Sequence, residues 1–82
     1  RDHTMLTQKK IDVVGYTTQG IMLVEVKPIA NMRALGQILT YHKLFTEAHP
    51  EESLVLKTVI CGSVELELDA MFDKHDVTLE IA

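Results

Sequence analysis

Asp12 and Glu25-Val26-Lys27 are the residues of this 82-residue chain whose types and spacing carry chemistry. Glu25 closes the apolar run Ile21-Met22-Leu23-Val24. Side chains alternate along a strand, so Glu25 and Lys27 would project from one face while Val26 points into the other. A charged pair ending a hydrophobic strand is costly unless metal, substrate or solvent compensates. Two carboxylates converging from neighbouring strands suit an oxygen-preferring cation such as Mg²⁺ or Mn²⁺. Such an ion would bind phosphate, neutralise charge developing on phosphorus and lower the pKa of a bound water. The chemistry implied is phosphodiester hydrolysis, with Lys27 orienting that water or stabilising developing charge.

The elements that must hold these groups follow from local pattern. Lys10 to Tyr16 is rich in β-branched and aromatic residues, and Thr17-Thr18-Gln19-Gly20 is a short polar connection ending in glycine. This reads as a β-hairpin whose second strand runs from Ile21 to Lys27 and is stopped by Pro28, which cannot donate a ladder hydrogen bond. Asp12 then sits on one strand and Glu25 on the other. Residues 3–8 would supply an earlier strand.

From Asn31 to Ala48 the residues Met32, Leu35, Ile38, Leu39, His42 and Phe45 recur at helical spacing, with Asn31 as N-cap and His49-Pro50 as terminator. Leu54 to Ile60 reads as a buried strand bounded by Gly62. Ser63 to Lys74 is expected as a second helix capped by Ser63, although Val64-Glu65-Leu66-Glu67-Leu68 alternates as a strand would. Val77 to Ile81 alternates apolar and polar residues and makes a last edge strand. The fold class is α/β.

On the long helix Arg33, Gln37 and Tyr41 are spaced i, i+4, i+8 and form one polar stripe that would face the hairpin's carboxylates. Gly36 beside it would let helix and sheet approach closely. Taken in order, Asp12, Glu25-Val26-Lys27 and Gln37-Ile38-Leu39-Thr40-Tyr41 resemble the PD-(D/E)XK nuclease superfamily. Its signature is an Asp, a spacer, then Glu/Asp-X-Lys on the next strand, and its RecB-like branch adds Gln-X-X-X-Tyr on a following helix.

The resemblance covers residues 9–45, with Ile11 where the signature has proline. It implies a restriction-endonuclease-like fold, a small mixed β-sheet flanked by helices, in which the usual N-terminal helix has almost no room. It also implies Mg²⁺- or Mn²⁺-dependent hydrolysis of DNA. Asp12 and Glu25 would be the metal ligands with the Val26 carbonyl as a third, and Lys27 the catalytic lysine. Gln37 and Tyr41 would orient the site or contact DNA, and the stripe adds Arg33 as a substrate-binding residue.

Charge is distributed in keeping with this. The chain carries a net −4, but residues 1–43 hold six basic against three acidic side chains and residues 44–82 two against nine. The +3 half contains the suspected site, and the acidic half is not expected to face phosphate. Cys61, alone and set among apolar residues, reads as a buried small hydrophobe in a reducing, cytoplasmic setting. No run approaches the ~20 residues needed to cross a bilayer. His3, His49 and His75 have no zinc-like spacing with Cys61. Met5, Met22, Met32 and Met71 are expected to fill core gaps.

One nuclease-like domain over residues 1–82 is expected. A start at Arg1 rather than Met fits a segment of a longer chain, and a small core that buries only roughly 60% of the unfolded surface fits completion by the rest of that chain or by a second copy. Bland alternatives stand beside the sharp ones. Glu-X-Lys at a strand end is common on solvated edges, Tyr41 also suits a helix boundary, Gln37 a solvent-facing helix position, and His42 a packed histidine. Glu65, Glu67, Asp69, Asp73 and Asp76 read as a solvated acidic face. The rival function is a nuclease-fold module that no longer cuts and serves DNA binding or assembly; a plain structural domain is a third.

Overall fold

A computed structural model describes residues 11–82, so the strand expected over residues 3–8 and the hairpin's start at Lys10 lie outside the described residues. The hairpin forms from β1 (Val13–Tyr16) and β2 (Ile21–Ala30). Thr17 builds its turn: the hydroxyl oxygen accepts from the backbone N–H groups of Gln19 and Gly20, and the hydroxyl donates to the Gly20 carbonyl at 2.9 Å. Then follow α1 (Met32–Ala48), β3 (Val55–Val64), α2 (Asp69–Lys74) and β4 (Val77–Ile81). The sheet order is β1-β2-β3-β4, with β1 antiparallel to β2 and the other pairs parallel. The result is the small mixed α/β domain that the pattern implies.

Two βαβ units stepping the same way across the sheet put both helices on one face. There Ile38 of α1 and Phe72 of α2, each fully buried, meet Leu23, Val59, Cys61 and Val77. Along β2 this face takes Ile21, Leu23, Glu25 and Lys27, opposite Val55, Lys57, Val59 and Cys61 of β3. The register thus places a glutamate and a lysine on the apolar, helix-covered side. Among the described residues no helix is long and apolar enough to cross a membrane.

Four element boundaries differ from the sequence expectation. First, β1 begins at Val13, because Asp12 leaves the ladder and its side chain is drawn to the backbone of Val26. Second, β2 does not stop at Pro28 but runs to Ala30. The Val26 N–H points toward the β1 side, and by alternation so does the Pro28 nitrogen, beyond the end of β1, where the missing hydrogen removes no ladder bond.

Third, β3 passes through Gly62, pairing Ser63 with Ile29 and Val64 with Ala30, and the Glu65 N–H bonds the Ala30 carbonyl. Ser63 is therefore a strand residue and caps nothing. Fourth, the second helix shrinks to Asp69–Lys74 with Leu68 at its cap, after a turn in which Glu67 takes φ 69°. On α1 the Asn31 cap forms as expected, Oδ1 accepting from the Ala34 N–H at 2.9 Å. Ala34 rather than Met32 joins Leu35 and Ile38 in the core. Met32 is 70% exposed and Met71 is exposed too, so neither fills a gap; Cys61 is buried.

Candidate active site

The hairpin register pairs Val13 with Val24, so one step further Asp12 lies across from Glu25. Asp12 is exposed, and its Oδ2 accepts the Val26 N–H at 2.8 Å. Glu25 is 3% exposed, an unusual burial for a carboxylate. Its Oε2 meets the Lys27 Nζ at 3.3 Å, while its Oε1 is buried with no hydrogen-bond partner. Burial, then the charge of Asp12, pushes the Glu25 carboxyl above its ordinary value, with Lys27 pulling the other way. Among the described residues, therefore, Glu25 keeps one unpartnered oxygen, and Asp12 stands across the hairpin from it.

Val26 points away from this face, half exposed on the other side of the sheet. Its carbonyl lies on the same strand edge as its N–H, toward Asp12, because a strand residue directs both groups to one neighbour. On α1, burial raises the phenol pKa of Tyr41, and the charges of Glu25 and Asp12 raise it further. Among the described residues the buried side-chain polar atoms lacking a partner are Glu25 Oε1, Gln37 Oε1 and Tyr41 OH. All three belong to the pattern read from the sequence. Native proteins leave few such atoms, and each calls for an explanation such as an ion, a water or a catalytic role.

Arg33, Gln37 and Tyr41 share a cavity of about 220 Å³ with Gly36 and Thr40. Gly36 does not serve close packing as the sequence suggested, since a Cβ there would meet nothing within 4 Å. Thr40 was not singled out from sequence; its signal is the i+4 spacing from Gly36, whose carbonyl its hydroxyl donates to at 2.7 Å. His42 packs as the bland reading had it, with Nε2 3.1 Å from the Val55 carbonyl.

The donor set discriminates between metals. No group of three or more His, Cys, Asp or Glu side chains that could hold an ion occurs among the described residues. A closed zinc site would need such a group. Two carboxylates and a carbonyl fit Mg²⁺ or Mn²⁺, since Mg²⁺ keeps several waters and takes only one or two carboxylates from protein. The orphaned Glu25 Oε1 is the atom most in need of a cation.

No family model and no curated protein matches the sequence. Among solved structures, a repair endonuclease from Pyrococcus abyssi superposes with a TM-score of 0.76 at 20% identity, over 88% of this chain and 32% of its own. EndoMS in its apo form superposes with a TM-score of 0.73 at 18% identity, over 85% and 33%. This chain thus spans about a third of the length of either, and shares with that third its fold.

Proposed function

We propose that this domain is the metal-binding core of a Mg²⁺- or Mn²⁺-dependent deoxyribonuclease that hydrolyses phosphodiester bonds in the manner of the PD-(D/E)XK superfamily, RecB-like branch. The carrying observation is the buried, unpartnered Oε1 of Glu25 across the hairpin from Asp12. Both folds that superpose on the chain belong to proteins described as, or named for, endonucleases. DNA is accordingly the substrate proposed, with the remainder of a longer chain, or a second copy, supplying the rest of its binding surface.

Asp12, Glu25 and the Val26 carbonyl would hold the cation. When bound, it supplies charge neutralisation at the phosphate and a water acidified toward neutrality. The chain's own residues do the remaining work. The Val26 N–H fixes the Asp12 carboxylate by holding Oδ2. Lys27, 30% exposed beside a nearly dry carboxylate, would orient the attacking water and stabilise the developing negative charge with its ammonium. Leu23, Val59 and Ile38 behind Glu25 exclude water, which strengthens each of these charge contacts. Arg33, Gln37 and Tyr41 position the strand.

Plasmid and single-stranded DNA incubated with Mg²⁺ or Mn²⁺ test this. Metal-dependent cutting lost in both Asp12→Ala and Lys27→Ala supports the enzyme. DNA binding without cutting, by the chain alone and in any larger assembly that contains it, supports instead a module that binds without hydrolysis.

A further inference from the structure

Glu25 and Lys27 lie two residues apart on one face of β2, so a carboxylate and an ammonium meet within a single strand. The contact is uneven. Nζ stands 3.3 Å from Oε2, longer than the roughly 2.7–2.9 Å of a tight charge-assisted hydrogen bond, and Oε1 is buried with no partner. The Glu25 side chain is 4% exposed and that of Lys27 30%, so one end of the pair is fixed in the fold and the other reaches solvent. Among the described residues Glu25 is the one acid that Lys27 pairs with, and Cys61, its register partner on β3, brings no carboxylate. Arginine in this place could clamp both oxygens with its planar fork. Lysine is a point charge on a flexible stem and engages one.

We propose that Lys27 is the stand-in cation of the Glu25 carboxylate in the metal-free protein: its ammonium holds Oε2 until a divalent ion takes the carboxylate over, and is then released toward phosphate. The exchange rests on the metal-site reading given under the proposed function. A carboxylate this buried is costly without a counter-charge, and Lys27 supplies one before any ion arrives. An ammonium and a divalent cation repel, the more strongly where water is scarce. They therefore cannot both hold one carboxylate at full strength, and each weakens the other by the same factor, because coupling between two bound groups is reciprocal. The unpartnered Oε1 lets the carboxylate accept an ion without first giving up Nζ, and the long contact at Oε2 is the one that yields. Lysine thus keeps the metal-free fold stable at the expense of metal affinity.

Isothermal titration of Mn²⁺ into wild type, Lys27→Met and Lys27→Arg, with no DNA present, tests the exchange. Methionine removes the competing charge and should bind Mn²⁺ about tenfold tighter than wild type, an ordinary size for coupling between two ligands. Arginine, able to occupy both oxygens, should bind it about tenfold more weakly. Circular dichroism checks that each variant is folded, and arginine, which keeps the counter-charge, decides the matter if methionine does not fold. Urea unfolding reads the same linkage by another route: Lys27→Met should be destabilised without metal and recover most of that loss at saturating Mn²⁺. DNA cutting by Lys27→Met should nevertheless fall, so that affinity and activity move in opposite directions. Methionine that binds Mn²⁺ no tighter than wild type, or arginine that binds it as tightly, overturns the stand-in role. Wild type that binds Mn²⁺ with an affinity both variants share discards the exchange and keeps the metal site. Wild type that takes up no Mn²⁺ discards both.

Discussion

The Asp12 carboxylate is tied to the backbone of Val26, Oδ2 accepting the N–H at 2.8 Å across the open end of the hairpin. The bond does two things at once. It closes a ladder position that β1 has left, and it aims the carboxylate at the flank of Glu25. Asp12→Asn keeps an acceptor for Val26 but loses the charge. It should melt within a few degrees of wild type while metal-dependent DNA cutting falls by about 10³-fold, the scale of several kcal/mol of charge stabilisation. Asp12→Ala should lose cutting equally and also cost about 1 kcal/mol in urea unfolding, as expected for one hydrogen bond at an exposed site.

Glu25 and Lys27 form a pair in which one partner is dry and the other wet. Lys27→Met leaves the buried carboxylate without its counter-charge. Because Lys27 is 30% exposed, the expected loss is about 2 kcal/mol, below that of a fully buried pair. Glu25→Gln removes a charge that burial opposes and should stabilise the metal-free protein at neutral pH by about 1 kcal/mol, while ending metal binding. The double variant should track Glu25→Gln alone, so a double-mutant cycle in urea reads the coupling directly. Addition of Mg²⁺ should raise the melting midpoint of wild type and leave that of Glu25→Gln unmoved.

His42 supplies the pH dependence. Burial, then the nearby Lys57, lowers its pKa below 6.5, and the Val55 carbonyl only partly restores it. The folded state therefore resists a proton that the unfolded chain accepts. The stabilisation is full above pH 6.5 and is lost as pH falls through the lowered folded value. Melting midpoints from pH 7.5 down to 5 should drop more steeply for wild type than for His42→Gln, which keeps a donor for Val55. Parallel slopes would refute the assignment.

Gly20 is the glycine the fold itself requires. An added Cβ would lie 2.4 Å from the Leu54 carbonyl oxygen, the group that also accepts the Ile21 N–H at 3.0 Å and so starts the β2–β3 ladder. Gly20→Ala should lower unfolding free energy by about 2–3 kcal/mol, the cost of forcing atoms into a closed site. Set beside Gly36→Ala, which should stabilise by about 1 kcal/mol at an exposed helix position where an added Cβ meets nothing, it separates a glycine the fold requires from one it does not.

The α/β class, the hairpin, the capped long helix and the last strand were legible because each depends on neighbours in sequence. The Thr17 turn, the Asn31 cap and the His49-Pro50 stop act within four residues. What was not legible depends on partners far along the chain. Whether Pro28 ends a strand turns on which side β1 has vacated, and nothing near Pro28 reports that. Ser63 looked like a helix cap, but Ile29, thirty-four positions earlier, holds it in the ladder. In the site, the order of Asp12, Glu25, Lys27, Gln37 and Tyr41 marked residues that the fold leaves buried or adjoining. The purpose of Gly36 was misread because a glycine in a helix looks the same whether it admits a sheet or leaves a space open.

Pro28 has a consequence for self-association. An uncovered strand edge ordinarily recruits another strand, from a second copy or a growing aggregate. Beyond β1, the flank of β2 has its Val26 N–H engaged by Asp12 and no hydrogen at all on Pro28. Among the described residues that margin therefore offers few N–H donors to another strand along the length bordering Glu25 and Lys27. Pairing at β4, the rim opposite β1, would lengthen the sheet and leave the carboxylates unobstructed.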